Sequence, residues 1–264
     1  MRVCRVMILV AAALASGACF QMTTVLRVNG DGSGTIVHRM VYTTAALAQL
    51  RQFAALAAGR GGTAVDPLSE QQARDMAASI GQGVSYVSSE LVTTPTGQGR
   101  ETTYAFSDVT QLQISTQPAA PSAVAAAAPG LAVTSESITF SLTREPDANA
   151  VLHIHVPEPN FLDALGSPSA QQQIGMVKNL LAGARVLLAA EPAGSLVRTS
   201  SPYVDGQRVT LLEVDLDEVL KDDTLLPRLQ AAKSEDEAKA VVQNARGLKI
   251  NLTRDITIEF TPAK

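Results

Sequence analysis

Apolar and polar positions alternate with a period of two in several stretches of the chain, and these stretches predict its strands. Residues 23–29 and 35–42 flank Gly30-Asp31-Gly32-Ser33-Gly34 and predict a β-hairpin. Residues 84–93 and 100–106 predict a second hairpin, turning through Pro95-Thr96-Gly97-Gln98-Gly99. Further on, Ile138, Phe140 and Leu142 alternate with Thr139, Ser141 and Thr143. Leu152, Ile154 and Val156 alternate with Val151, His153 and His155, and residues 145–150 join the two runs as a turn. Residues 185–190 form a nearly continuous apolar run, the mark of a buried strand. Residues 196–200 and 208–214 read as a pair turning at Asp205-Gly206. The chain ends in one long alternation, with Leu248, Ile250, Leu252, Ile256, Ile258 and Phe260 on one face and charged or polar residues on the other.

Between these runs the period lengthens to that of a helix. Thr43 or Thr44 offers an N-cap for a stripe of Leu47, Leu50, Ala54 and Ala57, flanked by Phe53 and Leu56 and stopped by Gly59-Arg60-Gly61-Gly62. Ser69 and Gln72 have the spacing of a capping box ahead of Ala73, Met76, Ala77 and Ile80. Asp108 caps a short turn through Leu112. A helix with Pro168 at its first position runs from Ser167 through Ile174, Val177 and Leu181. Asp215 caps another short helix. Ser234 and Glu237 form a second capping box ahead of Ala238, Val241, Val242 and Ala245. Hairpins ending in a polar cap and a helix recur at Thr43, Asp108 and Asp215. Together these signals predict an α+β fold, a curved antiparallel sheet built from hairpins with helices packed on one face. Residues 116–136 are rich in Ala and Pro. They are either a linker or a loop between an N-terminal part (19–115) and a C-terminal part (137–264), which form two domains or one.

The first residues change the picture from fold to address. Arg2 and Arg5 precede an uninterrupted apolar run over residues 6–15, then Ser16-Gly17-Ala18 and Cys19. That order is a bacterial export signal over residues 1–18, and its apolar core is too short to span a bilayer. Signal peptidase II cutting before an acylated Cys19 and signal peptidase I cutting after Ala18 both accept the site. Cys4 leaves with the signal, so Cys19 is the sole thiol of the mature chain, and acylation accounts for an unpaired cysteine in an exported protein. The expected localisation is the cell envelope, lipid-anchored, on the outer membrane or periplasmic face in a two-membrane host.

Without Arg2 and Arg5 the 21 basic residues fall to 19 against 25 acidic ones, a formal charge of −6. This balance argues against nucleic acid, which needs clustered Lys and Arg. The stretch from Cys19 through Thr24-Val25 to Asp31-Gly32-Ser33-Gly34-Thr35 resembles the start of many bacterial lipoproteins. Gly83-Val84, Tyr104-Ala105-Phe106-Ser107-Asp108-Val109 with Leu112, and Ser200 with Val204-Asp205-Gly206 and Val209, are similar to the LppM-like lipoproteins. The resemblance implies an α+β fold with a curved sheet, a hydrophobic cavity and a lipid or glycolipid ligand. It supplies no catalytic residues. The Ala/Pro insert and longer C-terminal half depart from that pattern.

Enzymatic chemistry has one lure. His153 and His155 point the same way from a strand, as two metal ligands do, with His38, Glu136, Glu145 or Glu158 as a third. The competing reading places both on the solvated face opposite Leu152, Ile154 and Val156. No Gly-x-Ser-x-Gly elbow, phosphate loop or dinucleotide fingerprint is present. The acidic run Asp215, Asp217, Glu218, Asp222 and Asp223 lacks the glycine and glutamate of a calcium loop. The expectation is therefore a lipid-anchored envelope protein with a non-enzymatic binding or scaffolding domain. Its partners are the membrane, through Cys19, and a lipid or another envelope protein, with no cofactor. The alternative is an envelope metalloenzyme or hydrolase using His153 and His155.

Overall fold

The computed structural model describes residues 20–59, 66–115, 137–144, 149–157 and 183–263. The signal 1–18, Cys19, the segment 116–136 and the helix expected between Ser167 and Leu181 lie outside the described residues.

The chain opens with the expected hairpin, β1 (Phe20–Val28) and β2 (Gly34–Thr43). Thr43 Oγ1 then accepts a bond from Ala46 N (3.2 Å) and starts α1 (Thr44–Gly59). Next come α2 (Glu70–Ile80), β3 (Val84–Thr94) and β4 (Gly97–Phe106), followed by a 3₁₀ turn (Val109–Gln111) and β5 (Gln113–Ser115). The second half contains β6 (Ser137–Arg144), β7 (Ala150–His155), β8 (Arg185–Pro192), β9 (Gly194–Thr199), β10 (Val204–Asp205) and β11 (Arg208–Asp215). The helices α3 (Leu216–Lys221), α4 (Leu225–Ala231) and α5 (Glu235–Gln243) lead to β12 (Leu248–Ile250) and β13 (Asp255–Pro262).

The fold class is α+β, with the described strands in two sheets. The larger has the order β10-β11-β8-β1-β2-β4-β3, with β12 also on β11. The smaller runs β5-β6-β7-β13-β9. Every pair is antiparallel except β1 with β8, a parallel pair that joins strands from opposite sides of the 116–136 segment. One apolar core lies between the sheets. Leu26, Val28, Ile36, Tyr104 and Leu211 come from the larger sheet; Ile138, Phe140, Leu152, Ile154, Ile256, Ile258 and Phe260 come from the smaller. Val109 and Leu112 fill the space between, and Val109 N donates to Gly32 O (2.8 Å). A smaller cluster of Tyr42, Ala46, Leu47 and Leu68 seats α1.

The polar caps sit where their residues predict. Asp108 Oδ1 accepts from Thr110 N (2.9 Å), Asp215 Oδ1 from Glu218 N (3.3 Å), Ser69 Oγ from Gln72 N (3.2 Å) and Ser234 Oγ from Glu237 N (3.2 Å). Neither box closes reciprocally on its own cap. Glu237 Oε2 accepts from Lys233 N (2.7 Å), and Ser69 N donates to Asp66 O (2.8 Å).

Three expectations give way. Residues 196–200 do not pair with 208–214: β9 joins β13 in the smaller sheet, and β11 turns back only on the two-residue β10. The cause lies at Pro192-Ala193-Gly194, where the chain crosses between sheets. Ala193 N donates to Val28 O (2.8 Å), and at Gly194 an added Cβ would run into Thr261 O. The final alternation is two strands in different sheets. Between them Asn251, 4% exposed, donates through Nδ2 to Thr210 O (2.8 Å) and Leu211 O (3.0 Å). Alternation continues in parity across this break, so the periodicity conceals it. The second hairpin turns only at Pro95-Thr96. Gly97 and Gly99 lie inside β4, pressed on β2 so closely that a Cβ on Gly99 would meet the Met40 carbonyl.

Gly99→Ala therefore costs about 2 kcal/mol by forcing β4 off β2, whereas Gly206→Ala, with no atom within 4 Å of the added carbon, costs about 1 kcal/mol through its positive φ. Urea denaturation of the two variants measures this order; equal costs would refute the close approach.

Candidate ligand groove and sequence-predicted residues

Alternation along β1 and β2 divides the larger sheet into two faces. Leu26 and Ile36 turn toward the core, as does Tyr104 of β4. On this side Tyr104 Oη donates to Ala73 O (2.8 Å), holding α2 against the sheet. On the opposite face lies a groove of about 340 Å³. Thr23 and Val25 of β1 and Val37 and Val41 of β2 form its floor, with Val25 directly opposite Val37. Arg27, Arg39, Glu101 and Arg208 stand around it. The volume is at the lower end of the range of small-ligand sites.

The rim is held by ion pairs across strands. Glu191 of β8 lies opposite Arg27 in the parallel register. It accepts from Arg27 Nε (3.1 Å) and Arg208 Nε (2.6 Å), bridging β1, β8 and β11. Burial alone would raise the Glu191 pKa, but the bonds to Arg208 and Arg27 outweigh it and hold the carboxyl below its usual range. Arg39 pairs with Glu101 at 3.7 Å. On the same sheet Glu213 bridges Arg185 (2.6 Å) and Lys249 (2.7 Å).

On the core side a polar row crosses the same sheet. Thr24, His38 and Thr102 are aligned in register on β1, β2 and β4, and Thr24 Oγ1 lies 2.9 Å from His38 Nδ1. Arg100, two positions along β4, donates to Leu68 O (2.8 Å) and to Ser89. Burial pushes the His38 imidazole from the usual 6.5 down to about 4, so it is neutral at pH 7.

The histidines do not converge. His153 and His155 lie on the outer face of β7 in the smaller sheet, opposite Thr257 and Asp255, while His38 belongs to the larger one. His155 Nδ1 is 2.9 Å from Asp255 Oδ1, an exposed pair. Glu136, Glu145 and Glu158 lie outside the described residues, as does Cys19. Among the described residues no three His, Cys, Asp or Glu side chains gather to hold a metal. The acidic run is engaged locally: Asp217 accepts from Gly183 N (2.6 Å), Glu218 from Lys221 Nζ (2.6 Å), and Asp222 from Thr224 N (3.0 Å). The groove residues went unmarked in the sequence because Thr-Val-Arg alternation reads simply as a wet strand face.

No protein-family model matches the chain, and no curated protein matches it. Among solved structures it resembles, weakly, the NMR structure of the folded domain of Mycobacterium tuberculosis LppM. The match has 8% identity and a TM-score of 0.32, covering 94% of this chain and 93% of that one.

Acid unfolding separates the two partly buried groups. His38 takes up a proton in the unfolded chain below about 6.5 but in the folded chain only near 4, so stability falls as pH drops through that window. His38→Gln flattens this part of a stability-versus-pH curve. The Glu191 carboxyl titrates lower when folded, so its contribution is present above the unfolded carboxylate range and is lost as pH falls through the folded value. Glu191→Gln costs about 1 kcal/mol at pH 7 and reduces the loss below pH ~4.5. Unchanged curves would exclude both assignments.

Proposed function

We propose that this protein is a lipid-anchored component of a bacterial cell envelope whose α+β domain binds or scaffolds, without catalysis, a lipid-like ligand. In this reading the helices pack on one face of a curved antiparallel sheet and the other face receives the ligand. The observation that carries the reading is the order of residues 1–19: basic end, short apolar core, small residues, then the sole mature cysteine one residue ahead of β1. Acylation there supplies the membrane attachment. Among the described residues no helix is long and apolar enough to cross a bilayer. Each buried methylene of an acyl chain adds about 0.8 kcal/mol, so two or three chains on Cys19 anchor the protein permanently. The valine floor and arginine edge of the groove support a lipid-like ligand over a purely polar one.

Mass spectrometry of the full-length protein purified from its own host tests both parts. The expected N-terminal peptide begins at an acylated Cys19, and organic extraction releases a copurifying lipid. Cys19→Ser abolishes palmitate labelling and moves the protein to the soluble fraction. An unmodified Cys19 in the native protein would refute the anchor; an empty extract would refute lipid carriage.

A further inference from the structure

The lipid anchor proposed above has a geometric consequence. Cys19 is covalently bonded to Phe20, the first residue of β1, so the two Cα atoms are about 3.8 Å apart and no linker separates an acyl group from the fold. The register places other segments at the same end of the sheet. Phe20 lies opposite Tyr42, Tyr42 opposite Gln98, and Thr43 and Thr94 both opposite Gly97. Thr44 N donates to Thr96 O (3.3 Å), so the start of α1 and the β3–β4 turn are joined there.

Charge is distributed unevenly around this end. Residues 20–26, 40–59 and 91–100 contain no aspartate or glutamate, in a chain with 25 of them. Their two arginines are Arg51, paired with Asp66 at 3.4 Å, and the inward-bonded Arg100. Asp66, bonded to Arg51, is a carboxylate set against α1, whereas the other flank carries Glu213, Asp215, Asp217 and Glu218 against Arg185, Lys221 and Lys249. On the α1 flank, Ala45 and Ala48 are exposed, and Leu91 of β3 is 66% exposed. A groove of about 310 Å³ runs between the first turns of α1 and the β3–β4 turn.

We infer that this flank, formed by α1, Phe20 and the β3–β4 turn, is the surface the domain lays on the lipid bilayer. The anchor brings the bilayer to within a residue of Phe20. An anionic leaflet repels carboxylates and accepts the outward face of α1, formed by Ala45, Ala48, Gln52 and Ala55 with Arg51, at headgroup depth. The domain is thereby tilted so that α1 touches lipid and the acidic β8–β11 flank is lifted away. This inference rests on the anchor of the proposed function.

The chain has no tryptophan, so single tryptophans report depth without background. Full-length acylated protein is reconstituted in phosphatidylcholine–phosphatidylglycerol vesicles, with or without brominated phosphatidylcholine. Ala48→Trp and Thr96→Trp place the probe at two independent points of the flank, and Gln82→Trp places it at the far end of β3. The expected result is flotation of all three, with at least about twofold quenching at positions 48 and 96 and none at 82. Thermal midpoints identify a misfolded variant, and the other flank position then carries the test. Flotation without quenching at 48 and 96, or with equal quenching at 82, overturns the orientation while leaving the anchor intact. Failure to float overturns the anchor, and the orientation with it.

Discussion

The fold depends on β1 being hydrogen-bonded along both edges. Antiparallel pairing with β2 is a local event, closed by a short glycine turn. Parallel pairing with β8 reaches more than half the chain length away and stitches the C-terminal part to the N-terminal part. A strand paired on both edges has no backbone group left for water, and Leu26 and Val28 are fully buried beneath it. Through β8 it positions β11, and through β2 it positions β4 and β3. The smaller sheet is then held by the shared core and by the crossing at Ala193.

The same strand unites the features that bear on function. Its first residue follows the cysteine of the proposed anchor. One face is core, and the other carries Thr23, Val25 and Arg27 into the groove. Glu191 ties Arg27 to Arg208, so the groove edge and the parallel pair are maintained by one interaction. For the lipid-like ligand proposed above, guanidinium groups fixed in advance would reduce the ordering cost of meeting a polar group.

Little of this site was legible beforehand. Arg27 and Arg208 stand far apart in sequence, and neither belongs to a motif. Val25 and Val37 look like any pair of hairpin valines. The histidines attracted attention because their residue type is informative, yet His38 is set in a buried polar row with Thr24 and Thr102, and His155 faces Asp255 at an exposed edge. A composite surface assembled from common residues leaves no trace in a single chain read along its length.

Local order was another matter. Cap residues Thr43, Ser69, Asp108, Asp215 and Ser234 each found the backbone amide their spacing predicts, because capping is settled within one helical turn. Alternation correctly assigned Ile138, Phe140, Leu152, Ile154, Ile256, Ile258 and Phe260 to the interior, because strand side chains alternate whatever the partner. The choice of partner was decided only in three dimensions. That β9 leaves β11 for β13, that the last alternation breaks at Asn251, and that β1 meets β8 in parallel all follow from burying two sheets against one another. The free energy of that burial is shared among residues hundreds of positions apart, and a period of two contains no information about it.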